Sequence, residues 1–203
     1  MIFDDLRVSM DYVEKITELV GGSTVEDKEP IAWSQVERSM GLTLPEDYKI
    51  LVSKYFTVNL GSVSLITPRA GTPGDSDLMI ATRESKEEFE EFLAEDPFVG
   101  DVPQRMDGSL LEGHSEFPDF YPMVPGLLKW GKDFIGDEFY WYVDGPPGGW
   151  KILAKERNGW WCEHEMSVSE YIYKAATRVL DCEIVAKSFD DSNIFVEWPW
   201  PDN

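Results

Sequence analysis

The chain has 203 residues, of which 42% are hydrophobic and 13% aromatic; this is enough apolar material for a well-buried core, in a length that makes one domain the first expectation. The 28% charged residues therefore read as a solvated surface, and an intrinsically disordered chain is excluded. Lys and Arg number 18 against 39 Asp and Glu, a formal net charge of -21, so nucleic acid and anionic membranes are poor partners, and the acidity either only keeps the chain soluble or steers in a basic protein partner.

In the first segment Leu6, Met10, Val13, Ile16 and Val20 recur at spacings of three and four, which predicts a lead-in helix over residues 4–20, stopped by Gly21 and Gly22. Met1 to Gly22 lacks a basic leader followed by an apolar stretch, and no apolar run is long enough to span a bilayer, so a cytoplasmic protein is expected. Trp33, Val36 and Met40 share the face of a second helix, with Gly41 as its stop. Leu44-Pro45-Glu46-Asp47-Tyr48 restarts a helix, with Pro in the first turn and two acids at the positive end of the dipole; Tyr48, Leu51, Val52 and Tyr55 form its buried face.

Val63 and Leu65 alternate with polar neighbours in a short strand between Val58 and Thr67, and Arg69 to Ser76 reads as a Gly/Pro loop. Ser85 followed by Glu88 has the capping-box spacing and predicts a helix opening there, with Phe89, Phe92 and Leu93 inward and an acidic outer face at Glu87, Glu90, Glu91 and Glu95. From Asp96 to Pro125 the Pro, Gly and isolated aromatics describe a long excursion over a core, with boundaries at 96–126.

Phe139, Trp141 and Val143 alternate with Tyr140 and Tyr142; a Gly/Pro turn leads to Trp150, Ile152 and Ala154, and Asn158-Gly159 to Trp160, Trp161 and Cys162. Three consecutive antiparallel strands are predicted. Ser167 and Glu170 repeat the capping-box spacing before a helix with Val168, Tyr171, Ile172, Ala175 and Val179 inward. Residues 180–203 form a C-terminal extension, with Ile194-Phe195-Val196 as a further strand and Trp198 and Trp200 either docked on the core or projecting.

Chemistry-bearing patterns are sparse. Cys162 and Cys182 are the only cysteines, without CxxC spacing, so neither a disulfide framework nor a zinc site is expected, and the compartment reads as reducing. Cys162, Glu163, His164 and Glu165 are ligand types, but strand alternation puts Cys162 and His164 on one face and the two glutamates on the other, so a metal site would need remote partners. There is no G-x-S-x-G, and Gly145, Gly148 and Gly149 lie among prolines and lead into no helix. No catalytic residue, metal or cofactor is assigned, and no enzyme activity is expected.

The order of helix, glycine stop, Leu-Pro-acidic-acidic-Tyr helix, Trp-rich meander and capped helix resembles the SUKH superfamily, which takes in bacterial immunity proteins and fungal cell-wall-synthesis regulators. The match rests on Val36-Glu37, Gly41, Leu44-Pro45-Glu46-Asp47-Tyr48, Trp130, Gly136-Asp137, the strand from Phe139 to Val143, Trp150 and the closing helix from Ser167 to Val179. It covers roughly residues 31–67 and 127–179.

The resemblance implies an α+β fold, a single mostly antiparallel sheet with flanking helices, in one domain over residues 1–203. It implies neutralisation of a cognate toxin by stoichiometric binding, or a regulatory or scaffolding role with several partners; it implies no cofactor. Gly41, Leu44, Pro45, Tyr48, Trp130, Gly136 and Trp141 are then fold determinants. For partner binding, adjacent Trp160 and Trp161 must face opposite ways, so one is exposed unless both sheet faces are covered. The acidic face at Glu87, Glu90 and Glu91 is either solvated surface or a contact for a basic toxin domain.

Overall fold

The computed structural model describes residues 2–25, 29–60, 63–69, 77–95, 102–186 and 195–196. The expected loop at 70–76, Ile194 of the last strand, and Trp198 and Trp200 lie outside the described residues.

Three helices open the chain: α1 (Ile2–Val20), α2 (Trp33–Met40) and α3 (Glu46–Lys54). On α1 the expected stripe buries Val13 and Ile16 and half-buries Val20, while Leu6 and Met10 lie outside the described side chains. Gly41 ends α2 at φ 70 and ψ 24, a left-handed conformation that favours glycine, and the Gly41 and Leu42 amides return to the last turn at Arg38 and Glu37. Glu37 then bridges to the next helix: its Oε1 accepts from the Leu44 amide at 3.0 Å and from Lys49 Nζ at 3.1 Å. Pro45 stands at the N-cap of α3, one residue before the expected first turn, in an extended conformation that directs Glu46 and Asp47 into that turn.

The strands are β1 (Val58–Leu60), β2 (Val63–Leu65), β3 (Gly126–Asp133), β4 (Glu138–Val143), β5 (Lys151–Lys155), β6 (Trp161–His164) and β7 (Phe195–Val196). They form one antiparallel sheet in the order β6-β5-β4-β3-β2-β1-β7. The fold is α+β, as expected. The predicted meander is β4, β5 and β6; strand β3, which joins it to β2, was not anticipated.

The sheet buries both faces. Leu128, Trp130, Phe139, Trp141, Ile152, Ala154 and Cys162 point into one cluster, closed by α3 and by α5 (Val168–Ala176). Leu127, Tyr140, Leu153 and Trp161 point into a second, closed by α4 (Leu78–Glu95) and by Leu111 and Phe120 of the excursion. The described part of that excursion therefore does what its isolated aromatics suggest: it lies over a core.

Two helix boundaries differ from expectation. Helix α4 begins at Leu78, with Asp77 Oδ1 accepting from the amides of Met79 and Ile80 at 2.8 and 3.0 Å. Ser85 is two turns inside, with 1% of its surface exposed, because the helix stripe Leu78, Ala81, Thr82, Ser85 and Phe89 all faces the sheet. Helix α5 keeps its predicted start, Ser167 Oγ accepting from the Glu170 amide, but ends at Ala176. Arg178 adopts φ 60, the Val179 and Leu180 amides both return to the Lys174 carbonyl, and Val179 is turned out to solvent instead of continuing the buried stripe.

Candidate functional site

At the end of the sheet where the β3–β4 and β5–β6 turns emerge, α4 leaves a cleft of about 400 Å³. Its walls carry both signs of charge: Glu84 and Glu88 from α4, Lys129 from β3, Asp137 and Glu138 at the start of β4, and Lys155 and Arg157 around the β5–β6 turn.

Glu138 is the centre of this arrangement. Its Oε1 accepts from Lys129 Nζ and Ser85 Oγ, both at 2.5 Å, and its Oε2 from Tyr140 Oη at 2.8 Å and Lys155 Nζ at 3.0 Å. Lys129 Nζ also donates to Ser85 Oγ at 2.7 Å. All five side chains are buried. Burial opposes the charge on Glu138, but the two lysines and their hydrogen bonds outweigh it and hold the carboxyl at about 2.

The neighbouring turn is equally specified. Asp133 Oδ1 accepts from the Ile135 and Asp137 amides at 2.9 and 2.8 Å, and Gly136 reverses the chain at φ 99, where a side chain is strained. Asp137 Oδ1 accepts from the Arg157 amide at 3.1 Å and ties the two turns together. Burial raises its carboxyl to about 6, the Arg157 amide acting against the shift.

The cluster can hold α4 against the sheet and present a charged rim, but it is poorly built for acid–base work. Glu138 is ionised with both oxygens doubly bonded, and Ser85 gives its proton to Glu138 while accepting from Lys129. Neither histidine approaches it. His114 Nε2 lies 2.8 Å from Glu163 Oε2, and Lys151 Nζ bonds the other oxygen of Glu163 at 2.7 Å, on the opposite side of β6 from Cys162. The alternation expected of residues 162–165 is observed.

Of the expected fold determinants, Leu44, Tyr48, Trp130 and Trp141 converge instead on the ring-filled core, while Gly136 stays in the cleft turn. Tyr48 packs edge-on to Trp141 at 4.9 Å, Trp141 lies 6.3 Å from Trp130, and Trp130 lies 5.8 Å from Tyr171 of α5. Tyr48 Oη donates to the Ile66 carbonyl, and Leu44 is buried beside it. Asp47, read from the sequence as a dipole partner of its own helix, reaches another: Oδ2 accepts from the Ser169 amide at 2.9 Å, in the first turn of α5.

Of the candidate partner-binding residues, Glu87, Glu90 and Glu91 lie exposed on the outer side of α4. Gly159 abuts Phe92, bringing the turn that carries half-buried Trp160 beside that helix. Trp161 is a correction. It is fully buried against Phe89 at 5.9 Å, because the excursion and α4 cover the second sheet face, and it is not available to a partner. Sequence reasoning missed Phe134, which stands 79% exposed in the β3–β4 turn, a turn whose Asp133, Gly136 and Asp137 line the cleft; an aromatic between the turn residues Asp133 and Gly136 was the available signal.

The family model SUKH_6, described as SMI1-KNR4 cell-wall, matches residues 32–173. That span begins just before α2 and ends inside α5, enclosing Gly41, Leu44, Pro45, Tyr48, Trp130, Gly136, Trp141 and the charged cleft. No curated protein and no solved structure matches the chain. Among the described residues no helix is long and apolar enough to cross a membrane.

Proposed function

This chain belongs to the SUKH superfamily, and from that membership we propose that it is an immunity-type protein that neutralises a cognate toxin inside the cell by stoichiometric binding. Family membership carries the reading, and the net charge of -21 supplies the partner's chemistry: a basic protein domain, drawn in at long range by a field that salt screens. The docking area we infer is the α4 side of the molecule, where Glu87, Glu90 and Glu91 face solvent beside Trp160, with exposed Phe134 of the β3–β4 turn as an aromatic anchor. Binding without turnover accords with the saturated hydrogen bonding of Glu138 and Ser85.

The family description, SMI1-KNR4 cell-wall, favours a second reading, a regulator of the same fold with several partners. Affinity purification of the tagged chain from its native cell, at low and then moderate salt, separates them. One stoichiometric basic partner, lost as salt rises and lost in a Glu87→Lys, Glu90→Lys, Glu91→Lys variant, supports neutralisation. Several partners with no toxic activity support the regulator, and a saturable turnover by the purified chain overturns both.

A further inference from the structure

Cys162, His164 and Cys182 meet at the β6 edge of the sheet: one ligand atom from each lies within 4.8 Å of the other two. The chain has two cysteines and two histidines in all, and three of these four residues converge here. Strand alternation places Cys162 and His164 on one side of β6, and the segment before α6 (Glu183–Ala186) brings Cys182 over them. Residue 182 lies beyond the matched span of 32–173, so the cluster joins the family core to this chain's own extension. It is the remote partner without which the sequence pair was incomplete.

We propose that Cys162, His164 and Cys182 bind one zinc-class divalent ion through two thiolates and one imidazole, leaving the fourth position to water. Bonds of about 2.3 Å to sulfur and about 2.0 Å to nitrogen require ligand atoms roughly 3.5 to 3.8 Å apart in a tetrahedron. The observed spread of at most 4.8 Å exceeds that by roughly 1 Å, within what small side-chain adjustments span.

Three further observations fit an ion. Both cysteines are buried, with 8% and 4% of their surface exposed, which suits an ion better than a substrate carbon. His164 Nε2 is buried without a hydrogen-bond partner, a cost that coordination by the ring would offset. Tyr171, whose hydroxyl is 3.9 Å from Cys182 Sγ and whose ring is 5.3 Å from that of His164, supplies an outer-shell contact to both. Uptake exchanges the thiol protons, at most two, for the dication, so the buried site ends without net charge.

The test is a titration of the full, reduced, metal-stripped chain with Co²⁺. One equivalent should give thiolate-to-cobalt charge-transfer absorption with tetrahedral ligand-field bands, and Zn²⁺ should bleach both. Cys182→Ser should abolish the one-equivalent spectrum, and His164→Gln should weaken binding by roughly tenfold or more. Glu165→Gln, on the other side of the strand, should leave it unchanged. A readout needing no variant is a rise in the wild-type unfolding temperature with stoichiometric Zn²⁺, reversed by a chelator. Folded, reduced wild-type chain that shows neither the charge-transfer band nor the Zn²⁺ shift overturns the proposal. So does a band that survives in Cys182→Ser, or recovery of the pair as a disulfide resistant to reductant.

Discussion

The two faces of the sheet are closed by different physics. Under α3 and α5 the seal is a stack of rings, Tyr48, Trp141, Trp130 and Tyr171; under α4 it is an ionic clasp, with Lys129 and Lys155 on Glu138, flanked by Phe89, Phe120 and Trp161. Burial of the rings' apolar area is non-directional and adds stability with each buried area, with edge-on contacts adding a smaller geometric preference. A buried ion cluster gains little over an apolar replacement but is costly to leave half-made, so it fixes one arrangement of α4 on the sheet. Of the expected fold determinants, Tyr48, Trp130 and Trp141 lie on the first face, while the acidic outer side of α4 and the described excursion lie on the second.

The comparison is broken hardest at the ring stack. Trp141→Ala should lower stability by about 3 to 5 kcal/mol, measured by denaturant unfolding. Glu138→Ala should come next, at about 3 kcal/mol or somewhat more, by stranding two buried lysines. Replacing Lys129, Glu138 and Lys155 together with apolar residues of similar volume should cost distinctly less than Glu138→Ala, the remaining loss coming from the stranded Ser85 and Tyr140 hydroxyls. If the single and triple variants lose equally, the clasp is ordinary packing and the contrast fails.

Acidity sharpens the same contrast. Glu138 is held at about 2, below its ordinary 4.5, so its contribution, about 3 kcal/mol, is present above pH 4.5 and disappears as pH falls through 2. Asp137 has the opposite sign. Its folded-state value of about 6 lies above the ordinary 3.8, so the folded state holds the extra proton between these values and stability declines as pH rises through that window. Asp137→Asn keeps an acceptor for the Arg157 amide and should gain on the order of 1 kcal/mol at pH 7 after allowance for solvent screening, flattening the profile between pH 4 and 6. Unfolding curves across pH 3 to 8 check both.

Smaller still is the outer side of α4. Glu87→Lys, Glu90→Lys and Glu91→Lys should each move stability by only about 0.5 kcal/mol or less, while together slowing association with a basic partner at low salt. Stopped-flow rates against ionic strength would show it.

The ring-packed face was largely legible in the sequence because its information is local: Gly41 ends a helix, Leu44 to Tyr48 begin one, and Phe139, Trp141 and Val143 alternate. The clasp was not. Lys129 and Glu138 are polar for each other's sake, so Lys129 broke the apolar run that would have marked β3, and Ser85, polar because Glu138 is its partner, looked like a helix start. Trp161 misled for a related reason, since its burial depends on remote segments, α4 and the excursion at 102–125, closing over its sheet face. Cys182 stands 18 residues from His164 in the sequence, and no spacing rule joins them.

The bond from the Ser169 amide to Asp47 spans 122 residues, and it bears on how the chain is made. The helix that carries the signature emerges early in synthesis with a carboxylate whose native partner does not yet exist. Until residues 168–176 follow, the rings of Tyr48, Trp130 and Trp141 also lack the Tyr171 side of their enclosure. The nascent chain must therefore keep an aromatic-rich segment from sticking elsewhere until α5 arrives, and a product cut short before α5 should be a target for quality control and not a working fragment.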